Sequence, residues 1–223
     1  MIELNHYEDL TIDLPVDVYN ALNRASREYE SSVTDLYYHI TNKGNFESSL
    51  FNELFNEAID AYFKYEHQRN IVSTEYVIPA VRNAFNASET ASIENHWLVA
   101  FDGSHKCTIT QIIINENNQQ VLYDEPLSDE WIEPLPVAMA KRDVFDALAS
   151  RLITVINDNE ATKNEYNKIK QARIDTVIKY DEKASQLNNW VVNNIVNKAN
   201  KEPEKCRWSI DYTSKRLVVT STD

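Results

Sequence analysis

Three carboxylates, Glu53, Glu57 and Asp60, recur at spacings of four and three residues. At 100° per residue they share one face of a helix. The opposite face would carry Leu50, Phe51, Leu54, Phe55, Ala58, Ile59, Tyr62 and Phe63, so residues 47–69 read as one amphipathic helix. No Lys or Arg interrupts the acidic stripe itself. Like charges at these spacings oppose an isolated helix by about 0.2–0.5 kcal/mol per pair. A stripe kept without cations is therefore a candidate surface for a basic partner. A second acidic group, Asp124, Glu125, Asp129, Glu130 and Glu133, surrounds Trp131 in a segment punctuated by Pro126 and Pro134. An aromatic side chain ringed by charge has the composition of an interface anchor. These residues do not form a calcium loop, which needs alternating oxygen ligands and a Gly at the sixth position.

The residues that usually carry catalysis are present without the spacing that catalysis needs. His6, His39, His67, His96 and His105 form no ligand pair at helical spacing and adjoin no nucleophile motif. His96 and His105 flank an expected hairpin and could face one another, but two imidazoles alone make no catalytic argument. Cys107 and Cys206 make no zinc pattern and are read as free thiols, unless the fold sets them on neighbouring strands. With 2 glycines in 223 residues there is little material for a phosphate-cradling loop, and no dinucleotide fingerprint occurs. The reading expects a protein that is not an enzyme, with no catalytic residues, no metal and no cofactor.

The charge is unevenly distributed. Residues 1–136 hold 23 acidic and 7 basic side chains, and residues 137–223 hold 12 and 15, together giving the net charge of −13. The acidity thus belongs to the first part. Such an excess repels nucleic-acid phosphates and anionic membranes and favours basic proteins. The chain opens on Met1-Ile2-Glu3-Leu4-Asn5 and has no run near the ~20 apolar residues of a membrane span, so the expected setting is the cytoplasm, with no membrane contact.

The elements that must position these residues follow from punctuation and periodicity. Leu10–Leu14 alternates as a strand, and Pro15 opens a helix on Val18, Leu22, Ala25 and Tyr29. Ser31 or Ser32 is expected to cap a second helix that ends at Gly44. Glu75–Ile78 reads as a short strand and Ala80–Phe85 as a short helix. Trp97, Val99 and Phe101 alternate before the turn Asp102-Gly103, and Lys106–Ile114 returns, with Gln120–Tyr123 a possible third strand. Residues 137–202 contain neither Gly nor Pro, so they can be helical nearly throughout. Asn157-x-x-Glu160 and Thr162-x-x-Glu165 read as capping boxes between a helix of about five turns and one near ~40 residues, ~60 Å long. Val177, Tyr180, Ala184, Leu187 and Val191 form a heptad seam on the longer one. Arg207–Tyr212 and Arg216–Thr222 form a last hairpin.

The expected fold class is α+β, predominantly helical, with a small antiparallel sheet built from hairpins and a long C-terminal helical arm or αα-hairpin. Residues 1–136 make an acidic α+β region, 137–205 the arm, and 206–223 a hairpin joining the first region's sheet, all within one integrated domain. Thr11-Ile12-Asp13-Leu14-Pro15 and the two helices expected after it resemble a ribbon-helix-helix DNA-binding unit. In that family the outward residues of the strand enter the major groove and are commonly basic or polar. Here they would include Asp13, with Glu8 and Asp9 just before it, and carboxylates there would face phosphates.

Three functions are consistent with these features. The first is an acidic binding protein that inhibits or regulates a basic, nucleic-acid-binding partner, with carboxylates standing in for the charges of a duplex. Anti-restriction proteins, anti-CRISPR proteins and immunity proteins against nuclease toxins resemble this chain in being small, acidic and cofactor-free. Its abundant Asn, Lys and Ile resemble the usage of low-GC bacteria and their phages. The second is an assembly adaptor forming a homodimer through residues 161–201. The third is the DNA-binding regulator that the N-terminal resemblance implies.

Overall fold

In the computed structural model, the described residues are 3–6, 10–43, 45–89, 91–115, 119–156, 159–211 and 214–222. Helices predominate and two small antiparallel sheets accompany them. Strands β1 (Glu3–His6) and β2 (Leu10–Asp13) lead into helix α1 (Val16–Lys43). The break expected at Ser31-Ser32 is absent, and α1 runs unbroken for 28 residues. Ser32 Oγ donates to the Glu28 carbonyl at 3.0 Å and Thr34 Oγ1 to that of Glu30 at 2.7 Å. Both hydroxyls are thus satisfied within the preceding turn and do not cap a new helix. The two separate helices of a ribbon-helix-helix unit are therefore not formed by this segment.

Helix α2 (Ser49–Val72) starts where Ser48 Oγ accepts from the Phe51 amide at 3.0 Å. It does not give way to a strand at Glu75. A π-helical turn, Ser73–Val77, carries it into α3 (Ile78–Phe85). Val72, Val77 and Val81 are all fully buried. Their gaps of five and four keep one face inward only if the helix takes in an extra residue, which is what a π turn does. A similar turn, Glu133–Val137, joins the short α4 (Asp129–Ile132) to α5 (Ala138–Leu152).

The first sheet is centred on β4 (Lys106–Asn115). Strand β3 (Ser92–Val99) covers one side of it, so β1 and β2 share the other. Cys107 and Ile109 face inward, and so do Ile112 and Ile114. The phase changes between the pairs at Gln111, whose φ of 50° marks a bulge. Phe101 lies beyond the strand, and Gly103 turns the chain with φ 87°. With both edges of β4 occupied, β5 (Gln119–Pro126) has no place beside it. It pairs instead with β7 (Arg216–Thr222), which also pairs with β6 (Cys206–Asp211). The C-terminal hairpin therefore joins a second sheet, ordered β5-β7-β6, and not the sheet of β3 and β4.

Helix α6 (Glu160–Val191) is capped by Asn159, whose Oδ1 accepts from the Ala161 amide at 2.9 Å. Of the two capping boxes expected, Asn157 lies outside the described residues. Thr162 and Glu165 are buried inside the helix and do not cap it. After Val191 a π turn extends it to Val196, short of the expected residue 201.

Three hydrophobic cores result. The first lies under the first sheet and takes Leu14, Tyr19 and Leu22 from the start of α1 with Val72, Val77 and Val81. The second is a four-helix core of α1, α2, α5 and α6, including Leu36, Ile40, Phe51, Phe55, Leu148 and Ile169. The third joins the end of α6, through Leu187, Val191, Ile195 and Val196, to Leu127, Leu135, Ile210, Leu217 and Val219. The heptad seam is thus covered within the chain from Tyr180 onward, by the second sheet. The two helix hairpins meet at their turns, where Glu165 Oε2 accepts from the Phe46 amide at 2.6 Å.

Candidate functional site

Glu53, Glu57 and Asp60 are exposed on α2, as the periodicity predicts, because Phe51, Phe55, Ala58 and Ile59 take the inward face. None of the three carboxylates has a cation within ion-pair distance among the described residues. On the outer surface α1 and α2 flank a groove lined by Ala21, Arg24, Ala25, Glu28, Lys64, His67 and Gln68. A step of seven residues returns to the same helix face. It places Asp35 on the α1 face that bears Glu28, and Glu57 and Asp60 on the α2 face that bears Lys64 and His67. The groove itself carries Arg24, Lys64 and Glu28, and the helix faces that continue it carry Asp35, Glu53, Glu57 and Asp60. All five carboxylates are exposed. Glu28 and Asp35 are absent from the sequence-based set. Their signal lay in the α1 periodicity, and only the pairing of α1 with α2 gives it meaning. Tyr38 and Leu50 add exposed apolar surface towards the acidic end.

The second acidic group stands on different elements. Asp124 and Glu125 are exposed on β5, at the edge of the second sheet, and Asp129 and Glu130 are exposed on α4. Asp124 accepts from Arg216 Nε at 2.8 Å and is already paired. The Glu133 side chain lies outside the described residues. Trp131 is half-buried against the third core, with Lys183 Nζ 5.8 Å from its ring centroid. The α2 stripe backs onto the second core and this group onto the third.

A third constellation, not anticipated from sequence, links α2 to α5. Tyr62 donates its hydroxyl to Asp143 Oδ2 at 2.6 Å, and Arg142 pairs with Asp143 at 2.7 Å. Burial and then the Asp143 bond hold the Tyr62 hydroxyl well above the ordinary phenol range. Burial does the same for Tyr29, reinforced by the Asp143 charge. The residues are widely separated in sequence and carry no motif. Beyond Tyr62, the α2 wall turns towards a cleft between the two sheets. It is lined by Tyr62, Phe63, Glu66, Arg69, Asn70, Ser73 and Thr74 of α2 and its π turn, Trp97 of β3, and Ser209, Ile210, Asp211 and Val218 of the second sheet.

The histidines do not converge. His39 is buried, with Nε2 3.0 Å from the Asn45 carbonyl and 2.9 Å from Ser48 Oγ, and it ties the α1–α2 turn. His105 packs on Tyr19 with centroids 4.6 Å apart, while His96 pairs across the sheet with Thr110. His67 stands in the groove, and the His6 side chain is not described. Cys107 and Cys206 are free and on different sheets. Burial pushes the Cys107 thiol up to about 11. Among the described residues no three His, Cys, Asp or Glu side chains group as a metal site, and no helix is long and apolar enough to cross a membrane. No family model matches the chain, and comparison with curated proteins and with solved structures finds no match.

Proposed function

We propose that this chain is a non-enzymatic binding protein whose α1–α2 groove docks on the basic face of a nucleic-acid-binding partner and so inhibits or regulates it. The observation that carries the reading is the set of exposed, unpaired carboxylates Glu53, Glu57 and Asp60 on α2, with Glu28 and Asp35 exposed on the helix packed beside it. Two packed helices fix the backbone spacing of these charges, so binding has only their side chains to order. Five carboxylates along these two helices present negative charge such as a partner meets on a nucleic-acid backbone. The second group, whose Glu125, Asp129 and Glu130 are exposed near the third core, adds negative charge that steers the approach. The setting that fits is the host cytoplasm, with the protein serving anti-restriction, anti-CRISPR or nuclease-immunity roles for a phage or mobile element.

The test is affinity capture from the native host at low salt, with identification of the retained protein and then competition by duplex DNA or RNA. The reading expects a basic protein that is released by salt and displaced by nucleic acid. Retention of an acidic or neutral protein that resists both would refute it.

A further inference from the structure

The cleft between the two sheets has a different chemistry from the groove. Its volume is about 480 Å³, within the range of small-ligand sites, and it is open to solvent. Its charges are already answered. Glu66 pairs with Arg69 at 3.3 Å, and the Arg69 guanidinium lies 5.1 Å from the Trp97 ring centroid and 5.8 Å from that of Tyr65. Asp211 accepts from the Ser214 hydroxyl at 2.6 Å and from its amide at 3.2 Å. The side chains of Asn70, Ser73 and Ser209 also line the cleft, and among the described residues they make no hydrogen bond. They offer an amide and two hydroxyls beside the apolar surfaces of Tyr62, Phe63, Trp97 and Val218.

A second observation marks the same place. The helix changes register at Ser73, the first residue of the π turn, and such turns recur at functional sites. Thr74 Oγ1 donates to the Asn70 carbonyl at 2.8 Å, which fixes the turn on which Asn70 and Ser73 sit.

We infer that the cleft binds a small uncharged ring compound bearing hydroxyl or amide groups, of the size of a monosaccharide or nucleoside. The apolar surfaces pack on the ring, while Asn70, Ser73 and Ser209 bond its polar edge. Glu66 and Arg69 neutralise one another, and Asp211 is held by Ser214 and lies opposite Arg216, so the cleft leaves no unanswered charge to offset the desolvation of a charged guest, and a neutral one fits. This site lies apart from the α1–α2 groove, so either proposal can fail without the other.

Saturation-transfer NMR with adenosine, uridine, glucose and N-acetylglucosamine tests the inference on the intact protein and separates the two sources. At least one probe is expected to bind with a Kd on the order of 0.1–1 mM. Asn70→Ala and Ser209→Ala should each weaken it about five- to tenfold, the loss of one hydrogen bond. The melting temperature should stay unchanged, because neither side chain bonds within the fold. Ser209 is exposed on its strand, so its variant remains informative if Asn70→Ala unfolds. The 5′- or 6-phosphate of the bound ring should bind more weakly than the ring itself. No transfer to any of the probes at about 5 mM, unaltered binding in both variants, or tighter binding of the phosphorylated form would each overturn the inference.

Discussion

Glu165 shows how differently the carboxylates of this acidic chain are used. It is one of the few buried polar side chains, and its oxygens take the Phe46 amide at 2.6 Å and Lys168 Nζ at 3.0 Å. Truncation leaves a part-buried amide without its partner, so Glu165→Ala is expected to cost ~1–3 kcal/mol by urea denaturation. Reversing exposed Glu57 should stay within about 0.5 kcal/mol. The tyrosines supply a pH signature. Tyr29 and Tyr62 are held protonated above the unfolded value near 10, so the native state binds the proton more tightly. Stability is therefore intact below about pH 10 and falls as pH rises beyond it. Thermal melts from pH 8 to 11 should show that decline, and Tyr62→Phe should flatten part of it. Cys107 is fully buried, with its thiol pushed up to about 11. Native protein at pH 8 should thus leave that thiol unmodified by a disulfide reagent until it unfolds.

The elements were legible in the sequence where one period ran uninterrupted, and less so where two signals competed. The α2 face, the β3–β4 hairpin and the long α6 were all written in apolar spacing. The break in α1 was misread because Ser31 and Ser32 look like caps, whereas the buried stripe through Val33, Leu36 and Ile40 keeps the helix whole. Glu75–Ile78 looked like a strand because a π turn alters the helical period over five residues. The partner of the C-terminal hairpin was not legible, since strand pairing depends on which edges remain open. Of the heptad seam, Leu187 and Val191 are buried with Tyr180 and Ala184 packed beside them, while Val177 joins no core, and the seam packs on the chain's own second sheet. Leu187→Ala should therefore cost ~2–5 kcal/mol. Its unfolding midpoint should not vary with protein concentration, as it would if the seam joined two copies.

At the scale of the whole molecule, the two acidic groups singled out stand on a helical face and in the region of the second sheet. The first was visible in sequence as Glu53, Glu57 and Asp60. Its other wall, Glu28 and Asp35, required the helix pairing to be known, as did the cleft between the sheets. Charge on an exposed face acts chiefly on encounter, so its effect belongs in the association rate and its dependence on salt. The most direct measurement compares the association rate of the captured basic partner with wild-type protein and with Glu53→Lys/Glu57→Lys/Asp60→Lys across a range of salt concentrations. The docking reading predicts slower association and a flatter salt dependence in the variant, at unchanged melting temperature. Equal rates and equal salt dependence would contradict it.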